Sequence, residues 1–239
     1  MATKTVKTPK LAPAQDPVSQ RGQKRRELIK AGTRVVLERV GYRAMKVTDV
    51  AAEAGIAVGL FYHYFPDLKT ATCEVLSDFL DELASTPLPV AKDRFDVIFA
   101  PTLVTVTAFE EHPGLMRCLV QVADEVPEFK ALWNKVSTAW TQRVASSIQR
   151  QFPEAHLSEA FSRSLSYALG AMVDGLMNEL YVQGNADARK LLKTPREVAE
   201  LLAAIWYRVL YLENPPARDL HLTAPLIAMK APAAKGAKA

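Results

Sequence analysis

Apolar positions recur with a helical period along most of the chain. Ile29, Gly32/Thr33, Val36, Leu37 and Val40 share one helical face, and Gly41 ends that run. Val47, Val50, Ala51 and Ala54 form a second, shorter stripe ended by Gly55. A third segment covers 57–64 and stops at Phe65-Pro66, after which Asp67 is placed to cap a fourth helix through Leu83. Proline divides the remainder into 93–111, 114–125, 127–151, 157–183 and 195–213. Proline fits the first turn of a helix and not its middle, so these divisions are coherent. The β-branched stretch 97–107, with Pro101, would also suit an edge strand. Phe95, Phe99, Thr102, Val106 and Phe109 keep a helical stripe there, which favours a helix kinked at Pro101. The expectation is an all-α protein of about nine helices.

The two ends differ from this pattern. Residues 1–20 carry Pro9, Pro13 and Pro17 among Lys, Thr and Ala, with too little apolar surface to offset ordering, and read as a flexible basic arm. Residues 215–239 read as a second tail, although Leu220 to Met229 is apolar enough to dock somewhere. Between them we expect a small helical head at 21–66 and a larger helical body at 67–214. The chain has 239 residues, 49% apolar and 23% charged, as expected of a soluble globular protein. No apolar run approaches a membrane span, no secretory leader is recognisable, and two cysteines, Cys73 and Cys118, make neither a disulfide framework nor a metal cage. A cytoplasmic protein without cofactor or metal is expected.

Charge sharpens the division. The net charge is +4, yet residues 1–30 hold eight basic residues against two acidic ones and residues 215–239 four against one, leaving −5 on the rest. From Arg21 to Lys69 ten basic residues face five acidic ones. A basic end on an acidic body suits a polyanion, although basic tails also serve solubility.

Three short helices within 24–65, the last two joined at Gly55, form a helix-turn-helix pattern. Gly55 can take the left-handed conformation of a tight turn, and the small Ala51 and Ala54 would let the third helix cross the second closely. Ile56, Phe61 and Phe65 would point inward. Ala57, Val58, Gly59, Leu60, Tyr62, His63 and Tyr64 would then face outward, and an exposed aromatic face needs a reason.

The string Gly41-Tyr42, Val47-Thr48-Asp49-Val50-Ala51-Ala52-Glu53-Ala54-Gly55-Ile56 and Gly59-Leu60-Phe61-Tyr62-His63-Tyr64-Phe65 resembles the tetracycline-repressor-like (TetR/AcrR) transcriptional regulators. The resemblance covers about 24–80. It implies that the third helix enters the major groove of double-stranded DNA, and that the body dimerises and binds a small effector. Carried over by position, Tyr62 would touch phosphate or a thymine methyl, Tyr64 phosphate and His63 a base, while Gly59 would let the backbone approach DNA. Arg25, Lys46, Thr48 and Lys69 complete the candidate contacts. The chain also departs from the pattern. Met45-Lys46 and Ala57-Val58 replace the usual hydroxyl-bearing pairs, removing a cap typically worth about 1 kcal/mol, and Leu68 occupies the usual Lys position. With no Arg, Asn or Gln on the reading face, Val58 and Leu60 would contact thymine methyls, and DNA shape would supply further readout. Arg21, Lys24, Arg25 and Arg26, at the start of the first helix, are placed for phosphate or minor-groove contact.

For the body, Phe161, Leu165, Ala168, Leu169, Met172 and Leu176 line one face of the eighth helix. Leu202, Ile205 and Val209 lie on a face of the ninth, and both faces would serve a homodimer as well as the core. Two reading heads on a pseudo-palindromic operator need a rigid spacer, so a twofold interface is expected. Phe99, Met116, Trp133, Trp140, Tyr167, Met172 and Asn178 are candidates for an effector pocket that takes an apolar or aromatic molecule, and equally for plain core. The expected function is a ligand-responsive repressor. A helical adaptor whose head binds protein is the alternative. An enzyme is not expected, because no nucleotide-binding or nucleophile motif is present and His63, His112, His156 and His221 are scattered.

Overall fold

The computed structural model of the protein describes residues 20–229, so most of the expected arm and the last ten residues lie outside the described range. Within it every regular element is helical: α1 (Gln20–Val40), α2 (Val47–Glu53), α3 (Val58–Tyr64), α4 (Leu68–Ser85), α5 (Arg94–Glu111), α6 (Pro113–Val120), α7 (Pro127–Gln151), α8 (Glu159–Met177), α9 (Ala186–Leu191) and α10 (Pro195–Tyr211). There are thus ten α-helices among the described residues and not nine. The extra one, α9, begins after Gly184 where Asn185 caps two backbone N–H groups. The expected eighth helix ends at Met177 and continues only as a π-helical turn, Asn178–Val182. The segment with the strand alternative is helical throughout, with Pro101 inside α5.

One apolar core runs through head and body. Ile29, Val36 and Leu37 of α1 and Phe61 of α3 join Phe65, Leu76 and Phe79 on one side and Phe109, Leu115, Leu119, Phe129, Met177 and Leu202 on the other. The boundary at 66/67 is therefore a break in chain direction, not in packing. A second cluster gathers Phe95, Ile98, Leu169, Ala203, Ala204, Trp206, Tyr207 and Leu220 where α10 lies along α5. Small residues on α10 (Ala199, Ala203, Ala204) permit that close approach.

One polar joint between head and body lies at the start of α6. Pro113 opens α6, and Glu38 of α1 accepts hydrogen bonds from the backbone N–H of Gly114 (2.7 Å) and Leu115 (3.4 Å). A carboxylate here satisfies donors that a helix start leaves open. The approach needs glycine, because a Cβ on Gly114 would stand 2.5 Å from Glu38 Cα and 2.6 Å from the Leu37 carbonyl oxygen.

The second tail is not loose as far as Met229. Leu220 is buried against α10. One oxygen of the buried Glu200 carboxylate accepts from His221 N–H, Thr223 N–H and the Thr223 hydroxyl, each at 2.8 Å. Arg208 donates to the Leu226 carbonyl at 3.1 Å. The apolar run in 220–229 docks on the helix that precedes it.

Candidate nucleic-acid interface

The head is built so that two of the three α3 aromatics inside the motif disagree about solvent. Phe61 is 0% exposed and its neighbour Tyr62 is 55% exposed, the two rings meeting edge-on at 5.5 Å between centroids. Gly55 has φ +62°, the left-handed value the turn requires. The close helix crossing at Ala54 is made with α1, where a Cβ on Gly32 would meet Ala54 at 3.1–3.2 Å. Neither α2 nor α3 has a side-chain cap, as the substitutions at Lys46 and Ala57 imply.

Val58 (39% exposed), Gly59, Tyr62 and His63 face solvent together, with Thr48 and Lys46 exposed on α2 and just before it. Leu60 and Tyr64 are half-buried, and Tyr64 departs from the expectation that it points outward. The Tyr64 ring packs against the main core and stands edge-on to His63 at 5.0 Å. Gly59 is informative because nothing lies within 4 Å of the position its Cβ would take and its φ is not in the left-handed region. The fold does not require glycine there, and glycine inside a helix costs roughly 0.5–1 kcal/mol relative to alanine.

The cations of the head fall into two groups. Arg26, Lys30 and Arg34 pair with Glu74, Asp78 and Glu82 of α4, Arg39 pairs with Glu53, Arg43 with Glu125, and Lys69 with Glu128. The carboxylates hold Lys69 and Arg43 above their usual pKa and are themselves held below theirs. Lys30 is raised as well, Asp78 and Glu27 outweighing the burial that opposes its charge. Arg21, Lys24, Arg25 and Lys46 have no carboxylate partner among the described residues. Two expectations change accordingly. Arg26 is turned inward, and Lys69 is bound to α7 instead of standing free at the start of α4.

The body residues scatter more. Met116 is buried in the main core, and Trp133 packs against it from α7. Tyr167 is 48% exposed on α8 and belongs to neither apolar cluster. Asn178 begins the π-helical turn. Phe99, Met116, Trp133 and Met172 meet around the main core, and Phe99, Trp140 and Met172 around the second cluster. That region is filled: Trp140 covers Gly170, where a Cβ would stand 2.9 Å from the ring, and meets Trp206 at 5.6 Å. The two best-formed clefts lie elsewhere. One, of about 250 Å³, lies among Phe109, Glu110, Pro113, Leu180, Tyr181, Gly184 and Arg189, and another, of about 160 Å³, beside Gly41–Ala44 and α6. Trp206 was not among the expected pocket residues, yet its Nε1 is buried without a hydrogen-bond partner. An indole in an apolar helical stripe looks like core in sequence, so only the structure reveals the unused donor.

Among the expected interface residues, Leu169 and Leu202 are spent inside the chain's own core, Leu202 being 1% exposed. Leu165, Met172, Leu176 and Ile205 are half-buried and Val209 is exposed. Phe161, Tyr167 and Leu212 add exposed apolar area on the same two helices and the residue after them. Cys118 offers no reactive thiol, because burial pushes it up to about 12. No group of three or more His, Cys, Asp or Glu is assembled for a metal ion, and no helix is long and apolar enough to cross a membrane, among the described residues.

Two family models match the chain: "Bacterial regulatory proteins, tetR family" over residues 29–68, and "Transcriptional regulator EthR, C-terminal domain" over residues 102–212. The HTH-type transcriptional repressor KstR2 of Rhodococcus jostii is 29% identical over 119 residues, 50% of this chain and 58% of that protein. Its namesake in Mycolicibacterium smegmatis is 40% identical over 70 residues, 29% of this chain and 34% of that protein. The alignments thus span less than two thirds of either curated repressor. A solved structure of a transcriptional regulator from Pseudomonas aeruginosa PAO1 shares the fold with a TM-score of 0.61 at 16% identity, over 79% of this chain and 91% of that one.

Proposed function

We propose, from the premise that this chain belongs to the TetR family of bacterial regulatory proteins, that it is a homodimeric, cytoplasmic DNA-binding repressor released from a pseudo-palindromic operator by a small apolar or aromatic effector. The observation that carries the reading is the solvent-exposed face of Val58, Gly59, Tyr62 and His63, with a glycine that the fold does not require. Beside it stand Lys46 and, at the start of α1, Arg21, Lys24 and Arg25, cations without a carboxylate partner among the described residues. Phosphate contacts from these cations would position the head, and methyl and aromatic contacts from α3 would read bases.

Two such heads need a spacer that matches half-sites about 34–36 Å apart. The outer faces of α8 and α10, with Phe161, Leu165, Tyr167, Leu176, Ile205 and Val209, supply apolar surface for a twofold contact. The effector reading is supported best around Trp140 and Trp206, where an unpartnered indole N–H sits among aromatic rings. An effector acts on DNA binding only if it prefers one spacing of the heads.

The deciding experiment is a mobility shift with DNA flanking the protein's own gene, titrated in salt. The reading expects a specific shift whose affinity falls steeply with salt, from a protein that sediments as a dimer at micromolar concentration. A monomer, or binding indifferent to salt and sequence, overturns it.

A further inference from the structure

Arg26 sits where the head's elements converge, and every contact it makes points inward. Its Nε donates to one Glu74 oxygen at 3.1 Å, and one terminal nitrogen reaches the other oxygen of that carboxylate. The remaining nitrogen donates to the backbone carbonyl of Tyr64 at 2.9 Å. The guanidinium plane lies 4.2 Å from the centroid of the buried Phe65 ring. One side chain thus joins α1, the last residue of α3, the residue that ends it, and α4.

The need for such a joint follows from the sequence. Helix α3 has seven residues and is followed by Phe65-Pro66, so the chain cannot continue as a helix and the Tyr64 carbonyl has no later N–H within α3. A cation at a helix C-terminus meets the negative end of its dipole. Arginine alone can engage a carboxylate with two nitrogens, a carbonyl with the third and an aromatic face with its plane, whereas lysine is a point charge. Arg26 is also the first rung of a ladder. Lys30–Asp78 and Arg34–Glu82 repeat the pairing at four-residue steps on both helices, which fixes the register of α1 against α4.

We propose that Arg26 is a positioning residue for DNA recognition: by tying the end of α3 to Glu74 it sets the aim of Tyr62 and His63. It is not a phosphate contact, although its place in the basic run Lys24-Arg25-Arg26 makes it look like one. This inference rests on the DNA-binding reading above.

The test compares full-length Arg26→Lys, Arg26→Met, Glu74→Gln and Arg25→Ala on DNA flanking the protein's own gene and on an unrelated duplex of equal length, across a salt series. Amide hydrogen exchange is followed on the same proteins without DNA. Both Arg26 variants are expected to lose about tenfold or more in the ratio of specific to unrelated binding, with the salt dependence kept. Arg25→Ala is expected to do the reverse, flattening the log–log salt slope by about 0.9 while leaving the ratio nearly intact. Glu74→Gln should lower the ratio in the same direction and add little on top of Arg26→Met, since the two act as one unit. Exchange at residues 61–65 should quicken in the Arg26 variants and stay unchanged in Arg25→Ala. If Arg26→Met flattens the salt slope as Arg25→Ala does, Arg26 is a phosphate contact and the proposal is overturned. A retained ratio in Arg26→Lys, or unaltered exchange at 61–65, overturns it equally. A wild-type protein that ignores DNA defeats the DNA-binding reading by itself, and the exchange arm still decides whether Arg26 holds α3.

Discussion

The head and the body use the same residue types in opposite ways. On α3, aromatic and small residues face water next to cations that have no partner among the described residues. In the body, Trp140, Trp206, Phe99 and Met172 gather in or against one apolar cluster. A surface that reads a rigid polymer must be presented in advance, so its function is visible as packing that is missing. A site for a small apolar molecule is lined by the same residue types that make a core, so such residues do not announce one.

The largest effect should come from breaking the contrast between neighbours on α3. Phe61→Ala removes a ring that is 0% exposed and should cost about 3–5 kcal/mol of stability in urea unfolding. Tyr62→Ala should leave stability within about 0.5 kcal/mol, as surface substitutions do, and lower DNA affinity. Equal destabilisation by the two would mean that the Tyr62 ring is packed after all. Next in size is the joint between the regions. Gly114→Ala drives a Cβ into the α1 backbone at Glu38 and Leu37, and overpacking of that kind costs about 1–3 kcal/mol. The same change at Gly59 has the opposite sign. With open space around it, Gly59→Ala should raise stability by up to about 1 kcal/mol. It should also weaken DNA binding about tenfold or more, a loss of about 1.4 kcal/mol. A variant with unchanged affinity would show that the backbone at Gly59 does not approach the nucleic acid.

Much of the head was legible because its signals are local. Gly55 marks a turn, Phe61 and Phe65 fall on one face and Tyr62 on the other, and each is decided within a few residues. What was not legible depends on distant partners. Lys69 reads as a free cation until α7 brings Glu128 to it, and Arg26 reads as part of a basic run until α4 brings Glu74. The matched four-residue spacings of Arg26, Lys30, Arg34 and Glu74, Asp78, Glu82 were available as a sign of that pairing. In the body, Leu202 and Leu169 lie on regular apolar stripes, and a stripe does not say whether its own chain or a second copy covers it. Tyr167 shows the converse: counted with the interior rings, it is exposed on α8.

The smallest effect lies where the regions meet. Asp67 accepts from the Thr70 N–H at 2.7 Å and caps α4 directly after the head. That backbone hydrogen bond, with help from the Thr70 side chain, holds the Asp67 carboxyl below its ordinary pKa of 3.8. A carboxyl with a lowered folded pKa stabilises the protein fully above the unfolded value, and the contribution fades as pH falls through the folded one. Asp67→Ala should therefore cost about 1 kcal/mol in urea unfolding at neutral pH, the usual worth of an N-cap. The gap to wild type should narrow below about pH 4, once the wild-type carboxyl is protonated. Asp67→Asn keeps an acceptor for the same N–H but cannot titrate, so its stability should lie near that of wild type at neutral pH and lack this acid-dependent loss. A deficit in Asp67→Asn as large as in Asp67→Ala would mean that charge at the start of α4, and not the hydrogen bond, holds the junction.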